Sequence, residues 1–269
     1  MIAKALTLEF LKFRRYKPFW IILGLFVICY FALGFSIKSF IDYMIANREG
    51  PFEAFFETGL PLFDFVDVWQ NMAYITFLFK YILAFVVMIS ICQEYTMRTI
   101  RQNMIDGLSR AEYVISKLGM VTVLSLLAGL LLLILGLFLG MLYSPVKSLD
   151  FVVQSIEFVP AFAFETFCFL AFAMFLSTLI RRTGFAIILF ILYSLIMEPI
   201  ATTIMKHEYE LATWYFPIRA INNIIHLPFG KYIFQEVQDY VKWTELLVAG
   251  GWALIFIWLT WLLMTKRDL

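Results

Sequence analysis

Apolar residues along the chain gather into six long runs, at 18–37, 71–92, 118–143, 156–180, 184–205 and 246–264. Each is close to the roughly 20 residues a helix needs to cross a hydrocarbon core about 30 Å thick. This pattern predicts an all-α, polytopic membrane protein with six transmembrane helices, and an even number of spans puts both ends on one side. Composition agrees: 62% of residues are apolar, 19% aromatic and 15% charged. A water-soluble core does not absorb so much apolar surface, and an ordinary soluble domain carries about a quarter charged residues. The amino terminus has basic residues ahead of an apolar run, as a signal peptide does. That run is too long, and "FSIKSF" lacks a small-residue cleavage pattern, so a retained first span is expected.

Charge adds an orientation. Lys4, Lys12, Arg14, Arg15 and Lys17 precede the first run; Arg98, Arg101, Arg110 and Lys117 lie between the second and third; Arg181 and Arg182 between the fourth and fifth; and Lys266 and Arg267 follow the last. These thirteen of the chain's 21 basic residues share one side, which predicts that both termini are cytoplasmic. Residues 38–70 carry Asp42, Glu49, Glu53, Glu57, Asp64 and Asp67 against Lys38 and Arg48, and are expected to be extracytoplasmic. There Ile41, Met44 and Ile45, and again Phe52, Phe55 and Phe56, fall at helical spacing, which predicts short amphipathic helices along the outer interface. The second extracytoplasmic segment, 206–245, is rich in aromatics and proline (Trp214, Tyr215, Phe216, Pro217, His226, Pro228, Tyr232, Trp243), residues suited to the headgroup level. Cys29, Cys92 and Cys168 each sit in an apolar run and are read as small buried hydrophobes.

One passage breaks the apolar pattern: "EYTMRTIRQNMIDGLSRAEYVISKL", from Glu94 to Leu118. Met97, Ile100, Met104, Ile105 and Leu108 stand at offsets 0, 3, 7, 8 and 11, one face of a helix, with Arg98, Arg101, Gln102 and Asp106 on the other. Asp106-Gly107 supplies a helix stop. Ser109 and Glu112 then form a capping box, and Leu108 and Tyr113 a hydrophobic staple, for the helix that leads into the third span. Periodicity leaves two readings open: a helix lying on lipid headgroups, or a docking element for a soluble partner.

A Glu closing the second span, then "TIRQNMIDGLSR", then an aromatic and a Lys before the third span, together with the closing "MTKRDL", resemble the permeases of type-2 ABC exporters. The resemblance covers the whole chain and implies a single permease domain over 1–269. In that family the segment corresponding to 94–117 is the coupling helix that sits in a cleft of the ATPase subunit. Carried over, Glu94, Arg98, Thr99, Arg101, Gln102, Asp106, Gly107, Ser109, Arg110 and Lys117 are the expected ATPase-coupling residues. The resemblance also implies a cytoplasmic amphipathic helix over 1–17, with Leu6, Phe10 and Phe13 on one face and Lys12, Arg14 and Arg15 near the surface. It implies that 206–245 dips partly into the outer leaflet. The implied partners are an ABC ATPase that carries ATP and Mg, a second permease chain, identical or related, and the lipid bilayer of a prokaryotic cell membrane. The cargo stays open: thirty Phe, thirteen Tyr and seven Trp suit an amphipathic substrate, and lipid-facing side chains explain them equally well.

Three charges fall inside spans: Lys80, Glu165 and Glu198. At 1.5 Å per residue the first two lie about 13 Å, and the third about 9 Å, below the outer surface, which makes Lys80 a partner for Glu165 or for Glu198. Pro199 predicts a kink in the fifth span. The chain has no G-x-x-x-x-G-K-[ST] stretch, so the ATPase activity is expected on another polypeptide. His207 and His226 lack a metal-ligand pattern, and "HEYEL" matches only the first half of a zinc motif. No catalytic residue, metal, cofactor or nucleic-acid partner is expected on this chain. The alternatives are a multi-pass membrane enzyme using Glu165 and Glu198, or an ion-conducting bundle; neither needs an ATPase.

Overall fold

The computed structural model describes residues 17–47, 63–205, 210–228 and 240–266. The first helix, α1 (Lys17–Asn47), is continuous. Hydropathy falls after Ile37, but nothing between there and Asn47 breaks a helix, so 41–45 extend α1 instead of starting a helix of their own. Phe52, Phe55 and Phe56 lie outside the described residues, as does the expected amino-terminal amphipathic helix up to residue 16. The second span is α2 (Val68–Ile75), a 3₁₀ turn (Thr76–Phe79) and α3 (Lys80–Thr96). Then come α4 (Thr99–Ile105), α5 (Arg110–Tyr143), α6 (Leu149–Val153) and α7 (Phe158–Ile180). The fifth span is α8 (Thr183–Ile191), a π turn (Leu192–Met197) and α9 (Glu198–Met205). Short helices α10 (Glu210–Thr213) and α11 (Pro217–Asn222) precede α12 (Trp243–Lys266). Among the described residues six helices are long and apolar enough to cross a membrane, and there is no strand.

The fourth span is the hub. α7 packs against α3, α5 and α12, and 72% of its apolar window is buried, against 17% for the first span. Cys168, Phe169, Leu170, Ala171, Ala173 and Met174 are buried in succession, so α7 is covered all round, as a uniformly apolar central helix requires. A chain of ring contacts links the spans around it: Tyr81 and Phe190 meet Phe169, and Phe172 meets both Phe190 and Phe256.

Against α5 the second span approaches very closely. A Cβ on Gly136 would come within 2.7 Å of the Trp69 ring, and one on Gly140 within 2.5 Å of Phe65. The two glycines leave room for these rings to lie directly against the α5 backbone.

The fifth span absorbs Pro199 by widening. Proline has no N–H to offer the carbonyl four residues back, and its ring would collide with that carbonyl. Six residues of π-helix just before it relieve the collision. Past the proline, the hydroxyls of Thr202 and Thr203 donate back to the Pro199 carbonyl at 3.0 and 2.7 Å, the local side-chain bonding of threonines within a helix.

Between the fifth and sixth spans, the described stretch around α11 is built into the bundle. Ile218, Ile221, Ile224 and Ile225 are buried in the same core as the spans.

Candidate functional site: a coupling element and an intramembrane charge cluster

The polar passage forms a compact hairpin of helices. After α3 ends, Arg98 takes a left-handed conformation (φ 57°) and redirects the chain into α4. Gly107, with φ 95°, turns it back, a conformation a Cβ would strain. Ser109 then caps α5: its hydroxyl accepts the Glu112 N–H at 3.2 Å, while the Glu112 carboxylate accepts the Ser109 N–H at 2.9 Å. Leu108 packs on a small cluster of Ile100, Tyr113, Val114 and Met264, which joins α4, α5 and the end of α12.

Polar bonds reinforce that attachment. Lys117 Nζ donates to Glu94 Oε1 at 2.8 Å, both side chains nearly or fully enclosed, so the end of the second span is tied to the start of the third. Arg110 donates to the carbonyls of Met264 and Thr265 at 2.8 and 2.5 Å, satisfying acceptors that the end of α12 would otherwise leave open. Thr99 Oγ1 donates to the Glu94 carbonyl at 3.3 Å.

The ten residues singled out by sequence therefore divide. Glu94, Thr99, Ser109, Arg110 and Lys117 make internal bonds, and Gly107 makes the turn. Arg98, Arg101, Gln102 and Asp106 are exposed. The five apolar positions of the sequence pattern do not form one buried face. Ile100, Met104 and Leu108 turn inward, whereas Met97 and Ile105 are 69% and 79% exposed. The break at Arg98 takes Met97 off the helix, and Ile105 sits one step around from Met104, past the edge of the packed stripe.

The second constellation lies within the spans. Lys80, at the start of α3, pairs with Glu165 of α7, one of the two partners sequence left open, and donates to Asn222 Oδ1 of α11 at 2.7 Å. Its ammonium also stands 4.8 Å from the centre of the Phe169 ring. Glu198 instead accepts the backbone N–H of Arg219 at 2.6 Å. Arg219 reaches Thr213 at 2.9 Å through its guanidinium. Both intramembrane acids thus help seat α11, Glu165 through Lys80 and Glu198 directly. Asn222 and Arg219 were not picked out from sequence; the signal was their place in "PIRAIN", polar residues three apart in an otherwise apolar stretch. His226 of the same segment meets Glu245 of α12 at 3.0 Å. His207 lies outside the described residues, among which no three metal-ligating side chains come together.

This arrangement offers compensated charge within the spans and firm attachment of the α4 hairpin to them. No curated protein matches the chain. The family model for ABC-2 family transporter proteins matches residues 4–269, nearly the whole sequence. The chain belongs to that family and is a multi-pass permease component of an ABC transporter.

Proposed function

We propose that the chain is the permease subunit of an ATP-driven exporter in a prokaryotic cell membrane, with both termini cytoplasmic. It pairs with a second permease, identical or related, and with separate ATPase subunits that hold ATP and Mg. Closure of the ATPases pushes on α4, and the spans move between inward-open and outward-open or occluded forms. This chain carries no step of the ATP chemistry; its part is mechanical.

The observation that carries the reading is the double character of α4. It is rooted by Ile100, packed with Tyr113, Val114 and Met264, and by the Thr99 bond to the Glu94 carbonyl, on spans that the Glu94–Lys117 pair and the Arg110 bonds to α12 lock to one another. Yet Arg101, Gln102 and Ile105 of α4, and Met97 and Arg98 just before it, are exposed. A transmitting element needs both a stiff root and a face to push against. Exposed apolar side chains among arginines suit a protein interface, where such residues anchor contacts.

Recovery of an ABC ATPase with the tagged chain from its native membrane tests this. Arg101→Glu combined with Ile105→Asp is expected to abolish retention of the ATPase while the permease still extracts as a folded protein. Full retention by that variant removes α4 as the docking element.

A further inference from the structure

A cavity of about 660 Å³ lies between the fourth, fifth and sixth spans, bordered by α10 and the start of α11. Phe172, Tyr193 and Phe256 in its wall stand near the midpoints of those three spans, so it sits well inside the membrane. Seven of the twelve described residues that line it are aromatic, against 19% of the whole chain. Rings that merely face lipid have no reason to gather at one hollow, whereas a pocket between the helices of a bundle is lined in this way.

The rings form one continuous wall. Phe175 and Trp252 both stack on Phe256, at interplanar angles of 20° and 26°. Phe172 joins that stack to the fifth span, its ring centre 5.0 Å from that of Phe256 and 5.4 Å from that of Tyr193. The Trp252 indole is held in place by its N–H, which donates to the Tyr215 carbonyl at 2.8 Å. Tyr193 and Met197 enter from the π turn, a widening of the helix that recurs at functional sites.

The wall selects its ligand. An acyl chain fills such a space but gains nothing from ordered ring faces, while an aromatic ring gains edge and face contacts with them. The same faces carry negative quadrupoles and attract a cation that has left water. No lysine or arginine is among the described residues that line the cavity. The Tyr193 hydroxyl is directed to the carboxylate of Glu198, five positions along the same span. With that proton and the Trp252 N–H both engaged inside the protein, the Tyr193 oxygen is left to accept a hydrogen bond. Leu189 and Met197, also in the lining, are 38% and 50% exposed, so the cavity opens sideways toward the bilayer, where a lipophilic molecule dissolves.

We propose that this cavity binds a lipophilic aromatic amine, its rings against Phe172, Trp252 and Phe256 and its ammonium at Tyr193, and that such molecules are cargo of the exporter. The cargo role rests on the permease reading above; the binding does not, since it needs no ATPase.

The test uses the full chain in phosphatidylcholine nanodiscs, titrated with quinacrine, a fluorescent aromatic amine. Pyrene and parinaric acid serve in parallel as a neutral aromatic and a flexible acyl chain. Saturable binding of quinacrine is expected, weakened about tenfold by Trp252→Leu and by Phe175→Leu, and less by Tyr193→Phe. Phe175 is only partly buried, so if Trp252→Leu misfolds, the Phe175 variant carries the test. Quinacrine binding unchanged in both ring variants overturns the site. Pyrene bound as tightly as quinacrine, with Tyr193→Phe without effect, overturns the amine; parinaric acid bound in preference to both gives the cavity to lipid and overturns the aromatic assignment. In inverted membrane vesicles with a protonophore present, ATP-dependent quinacrine uptake is expected to fall in the same ring variants. Uptake that is absent, or that ignores variants whose binding is weakened, overturns the cargo role and leaves the site. Failure of the α4 docking reading would leave the nanodisc result as it is.

Discussion

Lys80 is 2% exposed in a stretch that crosses the membrane, where an unpaired charge costs about 3 kcal/mol or more. It persists because Glu165 neutralises it and Asn222 and the Phe169 ring satisfy what remains of the ammonium. Removing one partner of such a pair leaves the other charge buried alone. Lys80→Met or Glu165→Gln is therefore expected to cost about 3–5 kcal/mol, and the double change distinctly less than the sum. Denaturation of the three variants in detergent checks this; a double variant no milder than the sum would falsify the pairing as a stabilising unit. Gly136 is the opposite case, a residue defined by what it lacks. Gly136→Val must displace the buried Trp69 ring, whose Nε1 donates to the Val152 carbonyl at 3.1 Å. A loss of about 1–3 kcal/mol is expected, read as a lowered melting temperature. Gly24→Ala, with open space around it, is expected to be neutral or slightly stabilising by the same assay.

At the scale of elements, the α4 hairpin shows what a sequence can and cannot disclose. The Ser109–Glu112 box was legible because capping depends on spacing within one turn and on nothing distant. Ser109→Ala is expected to cost about 1 kcal/mol and to speed amide exchange at the start of α5, measured by hydrogen–deuterium exchange. If exchange there is unchanged, the cap is not what fixes the α4–α5 corner. Glu94 and Lys117, by contrast, were expected at the ATPase contact, because sequence does not show which ends of the spans lie together. Only the packing of α3 against α5 shows them facing each other. The spans themselves were legible because the bilayer demands long apolar runs, and the hub role of α7 was not, since every span shares that composition. Proline marked the fifth span as irregular, but the remedy lay upstream: a π turn that no residue of "LYSLIM" announces. Asn222 escaped notice because its partner is 142 positions away, across three spans.

For the whole molecule, the arrangement turns on α3. Glu94 near one end belongs to the α4 attachment, and Lys80 at the other belongs to the cluster that holds α11, fourteen residues or about 21 Å away along a continuous helix. A push on α4 that tilts α3 therefore bears on the Lys80–Glu165–Asn222 contacts without needing any flexible relay. Those contacts tie α3, α7 and α11 together, so changing them alters how the intramembrane end responds while leaving the docking face intact. Lys80→Met combined with Glu165→Gln keeps the interior free of unpaired charge and isolates that response from simple misfolding. With this variant in liposomes, the ATPase is expected to bind as it does to the unaltered chain, while permease-stimulated ATP turnover falls about fivefold or more, the range of a typical coupling energy. Arg101→Glu is expected to do the reverse, losing the ATPase outright. Turnover unchanged in the double variant, or lost only in step with ATPase binding, would show that α3 is not the lever and that the intramembrane charges serve to hold the bundle together.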